Sequence, residues 1–280
     1  MKLDTYAENT WCPGCRNFMI LTAFKNAISS LVKDGLSKEN IVVVGGIGCN
    51  SKTIDYLNLN SFSSLHGRPI ISAEGIKLGN PKLKVIVFIG DGGCYNEGIS
   101  HLIHAAKRNT DITVLVHNNS TFALTTGQFT ATSPENFKGR STPEGSVEKP
   151  LNPLKLVLAS NGTFVARGYA MKMDHLTNLI IKAIKHSGFS FIDILQPCIS
   201  LFDTTSFYDQ KVYEIEEKKL DSPKEALRKI EEWDYNQIDD SQKIPIGIFY
   251  KIQKPSYWEK CLGTLNPSKR KKKVNFEEWK

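Results

Sequence analysis

Val85-Ile86-Val87-Phe88-Ile89-Gly90-Asp91-Gly92 is the stretch that decides how this chain folds. Every residue before Gly90 is apolar, and a second such run, Ile112 to Val116, ends in His117-Asn118-Asn119. Continuous apolar runs of this length read as strands covered on both faces, hence as a parallel sheet between helices. In open α/β sheets, ligands gather at the carboxyl ends of the strands. Here those ends carry hard oxygen donors. Asp91 supplies a carboxylate, Asn119 an amide oxygen and Thr121 a backbone carbonyl, leaving diphosphate oxygens and water to complete the octahedron that Mg²⁺ demands. Gly90, Gly92 and Gly93 let a phosphate approach the backbone, Cys94 lies beside it, and a helix predicted to start near Tyr95 aims free N–H groups at it. A plain βαβ unit with a turn at each end would carry the same Gly-Asp-Gly triplet, because Asp-Gly is also an ordinary turn.

Outward from this unit, strand and helix patterns alternate. Ile20, Phe24, Ile28 and Leu31 share one face of a helix predicted over Phe18 to Val32. Strands follow at 41–44, 84–89, 112–116 and 189–195, and helices at 70–79, 96–108 and 174–186. The expected fold class is α/β, a mostly parallel sheet with helices on both faces. Residues 1–200 should form that domain. Residues 201–280, richer in charge, should form a C-terminal extension packing on the core or on a partner subunit, with a helix from Ser222 to Trp233 and a strand from Ile244 to Tyr250. The stretch from Thr121 to Asn152 is too long for a routine connection and reads as a loop that folds over a cofactor or partner.

Composition narrows the classes. At 280 residues, 40% hydrophobic and 23% charged, the chain reads as soluble and globular. It has no run of eighteen apolar residues, and Met1-Lys2-Leu3-Asp4 is too polar for a secretory signal, so a cytoplasmic protein with reduced thiols is expected. The net charge is +7, part of it in Lys269-Arg270-Lys271-Lys272-Lys273. That run reads as a solvated tail or as a source of attraction for an acidic partner. It lacks interleaved aromatics, so nucleic-acid binding is not expected.

Four of the six cysteines sit in turns marked by Gly or Pro: Cys12 and Cys15 in Trp11-Cys12-Pro13-Gly14-Cys15, Cys49 after Gly45-Gly46-Ile47-Gly48, and Cys198 after Gln196-Pro197. A Cys-x-x-Cys pair with two distant thiolates suits a tetrahedral zinc ion or a cubane iron–sulfur cluster, and spacing does not separate them. Six reduced thiols acting as small apolar residues is the plainer alternative, and Cys94 and Cys261 fit it best. A thioredoxin-like reading of Trp-Cys-Pro-Gly-Cys fails because that fold needs a strand and a helix before the motif.

The Gly-Asp-Gly to Asn-Asn unit resembles the diphosphate-binding motif of thiamine-dependent enzymes. Taken with Leu65-His66-Gly67-Arg68, Glu74 to Pro81 (EGIKLGNP), Leu124-Thr125-Thr126-Gly127-Gln128, Thr163 to Arg167 and Gln196-Pro197-Cys198, the ordered set resembles the β subunit of 2-oxoacid:ferredoxin oxidoreductases from about Asp4 to about Tyr250. The resemblance implies a diphosphate-binding (PP-type) module with thiamine diphosphate, Mg²⁺ and one four-iron, four-sulfur (4Fe-4S) cluster. By position, Cys12, Cys15, Cys49 and Cys198 match the cluster ligands. Asp91, Asn119 and the Thr121 carbonyl match the Mg²⁺ ligands, and Ile47, Gly48, Lys52 and His66 match residues of the cofactor and substrate pocket. The implied reaction is oxidative decarboxylation of a 2-oxoacid such as pyruvate or 2-oxoglutarate. It gives acyl-coenzyme A and carbon dioxide, with electrons passed to ferredoxin.

Lys52 and His66 are the expected catalytic residues, with Lys52 and Thr126 placed against the substrate; a solvated loop histidine and a water-facing lysine are the bland readings. His117 reads as a core histidine. The chain departs from the family pattern at Arg16, where glycine is usual, at Gly93-Cys94 and at Ser100. An arginine beside a cluster favours its reduced state. The module whose glutamate activates thiamine is missing from this sequence, so the resemblance implies an α subunit, in one or two αβ units. Two other readings stay open: the diphosphate-binding chain of a thiamine enzyme without a cluster, and a zinc-stabilised assembly protein without chemistry.

Overall fold

A computed structural model of the chain describes residues 2–218, 220–235 and 242–256. In chain order the elements are α1 (Asn17–Lys33), β1 (Ile41–Gly45), β2 (Asn60–Ser63), α2 (Pro69–Gly79), β3 (Lys84–Gly90), α3 (Ile99–Arg108) and β4 (Thr113–Asn118). A small hairpin, β5 (Thr121–Phe122) and β6 (Gln128–Phe129), precedes α4 (Pro153–Ala159), β7 (Phe164–Tyr169), α5 (Met173–Lys185) and β8 (Ser190–Leu195). The last elements are α6 (Thr205–Lys211), β9 (Val212–Glu214), α7 (Pro223–Ile230) and β10 (Ile244–Lys251).

Eight strands form one sheet in the order β2-β1-β3-β4-β8-β7-β10-β9. All neighbours are parallel except β7 and β10. Side chains alternate across the sheet, as the pleat requires. Val85, Val87 and Ile89 join a core under α2, α3, α4 and α7, whereas Ile86 and Phe88 join another under α1 and α5. Phe24 of α1 meets Phe88 edge to face at 4.9 Å. Apolar residues therefore fill β3 on both faces, because helices cover both.

The topology opens a crevice at one place. After β1 the chain turns to the α1 side, burying Ile54, Tyr56 and Leu57 there, while after β3 it turns to the opposite side, burying Cys94, Tyr95 and Leu102. Two connections that leave adjacent parallel strands on opposite faces part above the carboxyl ends, where ligands bind in such sheets.

The structure corrects several element expectations. The helix expected from residue 96 begins directly after Asp91 as a π-helical turn, Gly92–Glu97, and α3 starts only at Ile99. Gly98 divides them because a Cβ there would lie 2.6 Å from the Gly67 carbonyl oxygen. β4 runs on to Asn118, two residues past the apolar run, and α7 ends at Ile230 rather than Trp233. β7 was not anticipated as a strand, since its sequence FVARGY places an arginine and a glycine in a fully buried element. α4, whose Asn152 side chain accepts the Lys155 N–H, was also not anticipated. The basic run 269–273 and Cys261 lie outside the described residues. Among the described residues no helix is long and apolar enough to cross a membrane.

Candidate functional site

A cleft of about 200 Å³ occupies the crevice above β1, β3 and β4. Its walls include Ile47, Gly48, Cys49, His66, Gly90, Asp91, Gly92, Gly93, His117, Asn119 and Thr121. Gly48 has φ +120°, which few other residues adopt, and a Cβ at Gly92 would stand 2.3 Å from the Phe122 ring. These glycines keep side chains out of the floor.

Asp91 is 2% exposed. Its Oδ2 accepts the hydroxyls of Thr130 (2.6 Å) and Thr132 (3.0 Å), and its Oδ1 accepts only the long N–H of Asn119 at 3.5 Å. Burial pushes its carboxyl up to about 6, with the two hydroxyls opposing. The Asn119 amide is oriented from both ends: its Nδ2 donates to Gln196 Oε1 (3.1 Å), and its Oδ1 accepts the Thr121 N–H (3.2 Å). A buried carboxylate and an oriented amide oxygen at the rim of a glycine-floored cleft fit a hard divalent ion with a diphosphate. His117 is neutral, held down to about 3 by burial. Its Nδ1 meets Asn17 Oδ1 at 2.7 Å, while its buried Nε2 has no partner.

The four turn cysteines lie within charge range of one another, and Cys49 also lines this cleft. Cys15 N–H donates to the Cys12 carbonyl (3.0 Å), closing the N-terminal turn. The Trp11 indole donates to the Cys49 carbonyl (2.7 Å), which fixes that turn against β1. A Cβ at Gly14 would lie 3.4 Å from the Ile199 side chain, next to Cys198. Cys15, Cys49 and Cys198 are half-buried, Cys12 is exposed, and all four are free thiols. Burial raises Cys49 to about 11, with Cys15, Cys198 and Cys12 adding to the rise and Lys52 opposing it. Burial also raises Cys15, with Cys198 and Cys12 contributing. A bound cation would offset both the burial and the mutual charge effects and favour the thiolate forms. Among the described residues no three of His, Cys, Asp or Glu stand in an arrangement that could hold a metal ion.

Three expected residues stand elsewhere. Lys52 is outside the cleft walls, its Nζ donating to the Thr10 carbonyl (3.3 Å), because the turn after β1 coils Asn50 inward and Lys52 toward the N-terminal segment. Thr126 is exposed at φ +76°, and its neighbours Leu124 and Thr125 line the cleft instead. The Cys94 side chain is fully buried in the apolar core under α2 and α3, because the π-turn points it away from the cleft. Thr130, Thr132, Asn118, Gln196 and Asp193, which hold the site from behind, were missed. Asn118 and Gln196 lay in motifs already singled out, and Asp193 left a signal of its own, a lone charge in the apolar strand FIDIL.

Residues 46–194 match the C-terminal thiamine pyrophosphate binding domain of thiamine pyrophosphate enzymes, and residues 201–264 match the C-terminal part of the pyruvate ferredoxin oxidoreductase beta subunit. The 2-oxoacid:ferredoxin oxidoreductase subunit beta of Saccharolobus solfataricus is 41% identical over 93% of this chain and 87% of its own length. The chain belongs to the β-subunit family of 2-oxoacid:ferredoxin oxidoreductases. Another member of that β-subunit family, the 2-oxoglutarate synthase subunit KorB of Archaeoglobus fulgidus, is 35% identical over 89% of this chain and 87% of its own. In three dimensions the chain is similar to a 2-oxoglutarate:ferredoxin oxidoreductase from Magnetococcus marinus solved with 2-oxoglutarate, coenzyme A and succinyl-CoA bound. That similarity has a TM-score of 0.89 at 28% identity and covers 99% of this chain and 93% of the other.

Proposed function

We propose that this β subunit holds thiamine diphosphate and Mg²⁺ in the cleft and a 4Fe-4S cluster on Cys12, Cys15, Cys49 and Cys198. With its α subunit it converts a 2-oxoacid and coenzyme A to acyl-coenzyme A and carbon dioxide, giving the electrons to ferredoxin. One observation carries the reading: Cys49 belongs to both places, lining the cleft and sharing charge effects with the other three thiols. A cluster held partly by Cys49 would border the cleft and could accept electrons from it. Redox-inert zinc would have no use for that adjacency.

When bound, thiamine supplies the carbanion chemistry that releases carbon dioxide, which no side chain provides. The chain does the rest. Asp91 Oδ1 and Asn119 Oδ1, with the Thr121 carbonyl, would take the metal, and the N–H groups of the turn after Asp91 would face the diphosphate. His66 and His117 border the cleft as polar groups within it. Gln196, two residues before Cys198, orients Asn119 and ties the two centres together. The relatives include proteins named for 2-oxoacids at large and for 2-oxoglutarate, so both are substrates to try beside pyruvate. The net charge of +7 suits an acidic electron carrier.

The deciding experiment is anaerobic co-purification with the companion subunit, followed by iron, sulfide and thiamine analysis and dye reduction over several 2-oxoacids. The expected product is a brown complex with thiamine and about four irons per chain, losing colour when Cys12 or Cys198 becomes Ser. A colourless, active complex would leave a thiamine enzyme without a cluster, and zinc without sulfide would leave an assembly protein.

A further inference from the structure

The loop from Thr121 to Asn152 reaches under the cleft as well as around it. Thr130 and Thr132, 2% and 1% exposed, both turn their hydroxyls onto the same oxygen of Asp91, at 2.6 and 3.0 Å. We propose that these two threonines are positioning residues that saturate Asp91 Oδ2 and so present Oδ1 alone to the metal, setting a one-oxygen coordination that favours Mg²⁺ over Ca²⁺. This inference rests on the thiamine diphosphate and Mg²⁺ reading above and deepens it.

The arrangement is built rather than incidental. Ala131, between the two, is held at both backbone groups: its N–H donates to Asn96 Oδ1 (2.8 Å) and its carbonyl accepts the Leu151 N–H (2.6 Å). The Thr130 N–H donates to Ser133 Oγ (2.7 Å), which itself donates to the Ser120 carbonyl (2.6 Å). Thr132 Oγ1 also lies 2.9 Å from Asn118 Oδ1. That oxygen has another donor in the Ser120 N–H (3.3 Å), and the single Thr132 proton is divided between it and Asp91 while Thr130 gives Oδ2 its full donor. With two donors on Oδ2 and one long N–H on Oδ1, only Oδ1 has room for a cation.

Mg²⁺ demands a near-ideal octahedron, whereas Ca²⁺ accepts carboxylates through one oxygen or two and tolerates irregular shells. A carboxylate pinned by one oxygen serves the smaller ion. Released, it can turn both oxygens to the metal, which serves the larger one.

The test measures thiamine diphosphate binding to the co-purified complex while Mg²⁺ or Ca²⁺ is titrated, for the parent protein, Thr130→Val, Thr132→Val, the double Val variant and the double Ser variant. Outer-shell changes of this kind typically cost roughly 10- to 100-fold in metal affinity. The double Val variant is expected to need that much more Mg²⁺ with a smaller change for Ca²⁺, narrowing the preference, while the double Ser variant, which keeps both hydroxyls, stays near the parent. If the double variant does not fold, Thr130→Val alone, which removes the shorter bond, is expected to shift the preference in the same direction. An unchanged Mg²⁺ requirement, or equal losses for both ions, would overturn the clamp while leaving the function intact. A parent complex that binds no thiamine diphosphate with either ion would overturn the function and the clamp together.

Discussion

At the scale of single residues, Asp91 carries the site and its charge opposes the fold. Its carboxyl is pushed up to about 6 by burial, above the ordinary 3.8. A group whose folded pKa is raised lends stability in its protonated form, fully present below about 3.8 and lost as the pH rises through about 6. Metal binding requires the ionised form and so recovers what the empty site loses. The rise in melting temperature on adding Mg²⁺ and thiamine diphosphate should therefore grow between about pH 5 and about pH 7.5. Thermal melts in matched buffers check this, and equal shifts at both ends would count against Asp91 as a ligand. Asp91→Asn should weaken thiamine diphosphate binding on the order of 100-fold without lowering the melting temperature of the empty protein; calorimetric titration reads the first part and a thermal melt the second. Asp91 and Asn119 were legible in the sequence because each ends an apolar run. Thr130 and Thr132 were not, because they sit among other small polar residues in a loop and gain meaning only where the loop lands.

At the scale of elements, β7 and β8 pair Arg167 directly with Asp193. Both are fully buried. The guanidinium packs over Trp233, Tyr235 and Phe249 at 4.9 to 5.4 Å and donates to the Pro245 carbonyl at 3.1 Å. Asp193 accepts the hydroxyls of Tyr95 (2.7 Å) and Tyr235 and the Asn118 amide (3.0 Å). Two strands, the π-turn and the end of β4 are thereby locked to one another. Arg167→Met would remove the Pro245 hydrogen bond and a cation that favours the ionised Asp193 carboxyl, a change expected to destabilise the chain by about 1–3 kcal/mol. Denaturant unfolding checks it, and an unchanged midpoint would count against the lock. The β5–β6 hairpin admits a second test. Gly92→Ala would drive a methyl into the Phe122 ring, so thiamine binding should fall while the colour of the proposed cysteine cluster survives, as an absorbance spectrum beside a thiamine assay would show. The strand β7 was hard to read because a charged residue in a buried strand breaks the apolar pattern used to find strands.

At the scale of the whole molecule, the proposed function makes the cleft half a site. Leu124 and Ile47 stand 47% and 41% exposed in its walls, and a reaction that must exclude water needs that rim covered. The isolated chain should reduce no dye above background with any 2-oxoacid, and the complex with the companion subunit should restore turnover. Steady-state assays of both preparations decide it, and robust turnover by the chain alone would refute the requirement. The C-terminal segment also takes part in the main sheet: β10 lies between β7 and β9, so residues 244–251 complete the fold of residues far upstream.

Strands β1, β3, β4, β8 and β10, helices α1, α2, α3 and α5 and the Gly-Asp-Gly turn were determined by the sequence alone, because hydrophobic periodicity and Gly- or Pro-marked turns are local properties of a chain. Which of the chosen residues face the cleft was decided by tertiary structure. Lys52, Thr126 and the Cys94 side chain turn away from it, while Thr130, Thr132 and Asp193 support it from behind. Side-chain direction at a strand end depends on how the next turn coils and what it packs against, and those partners lie up to a hundred residues away in the chain.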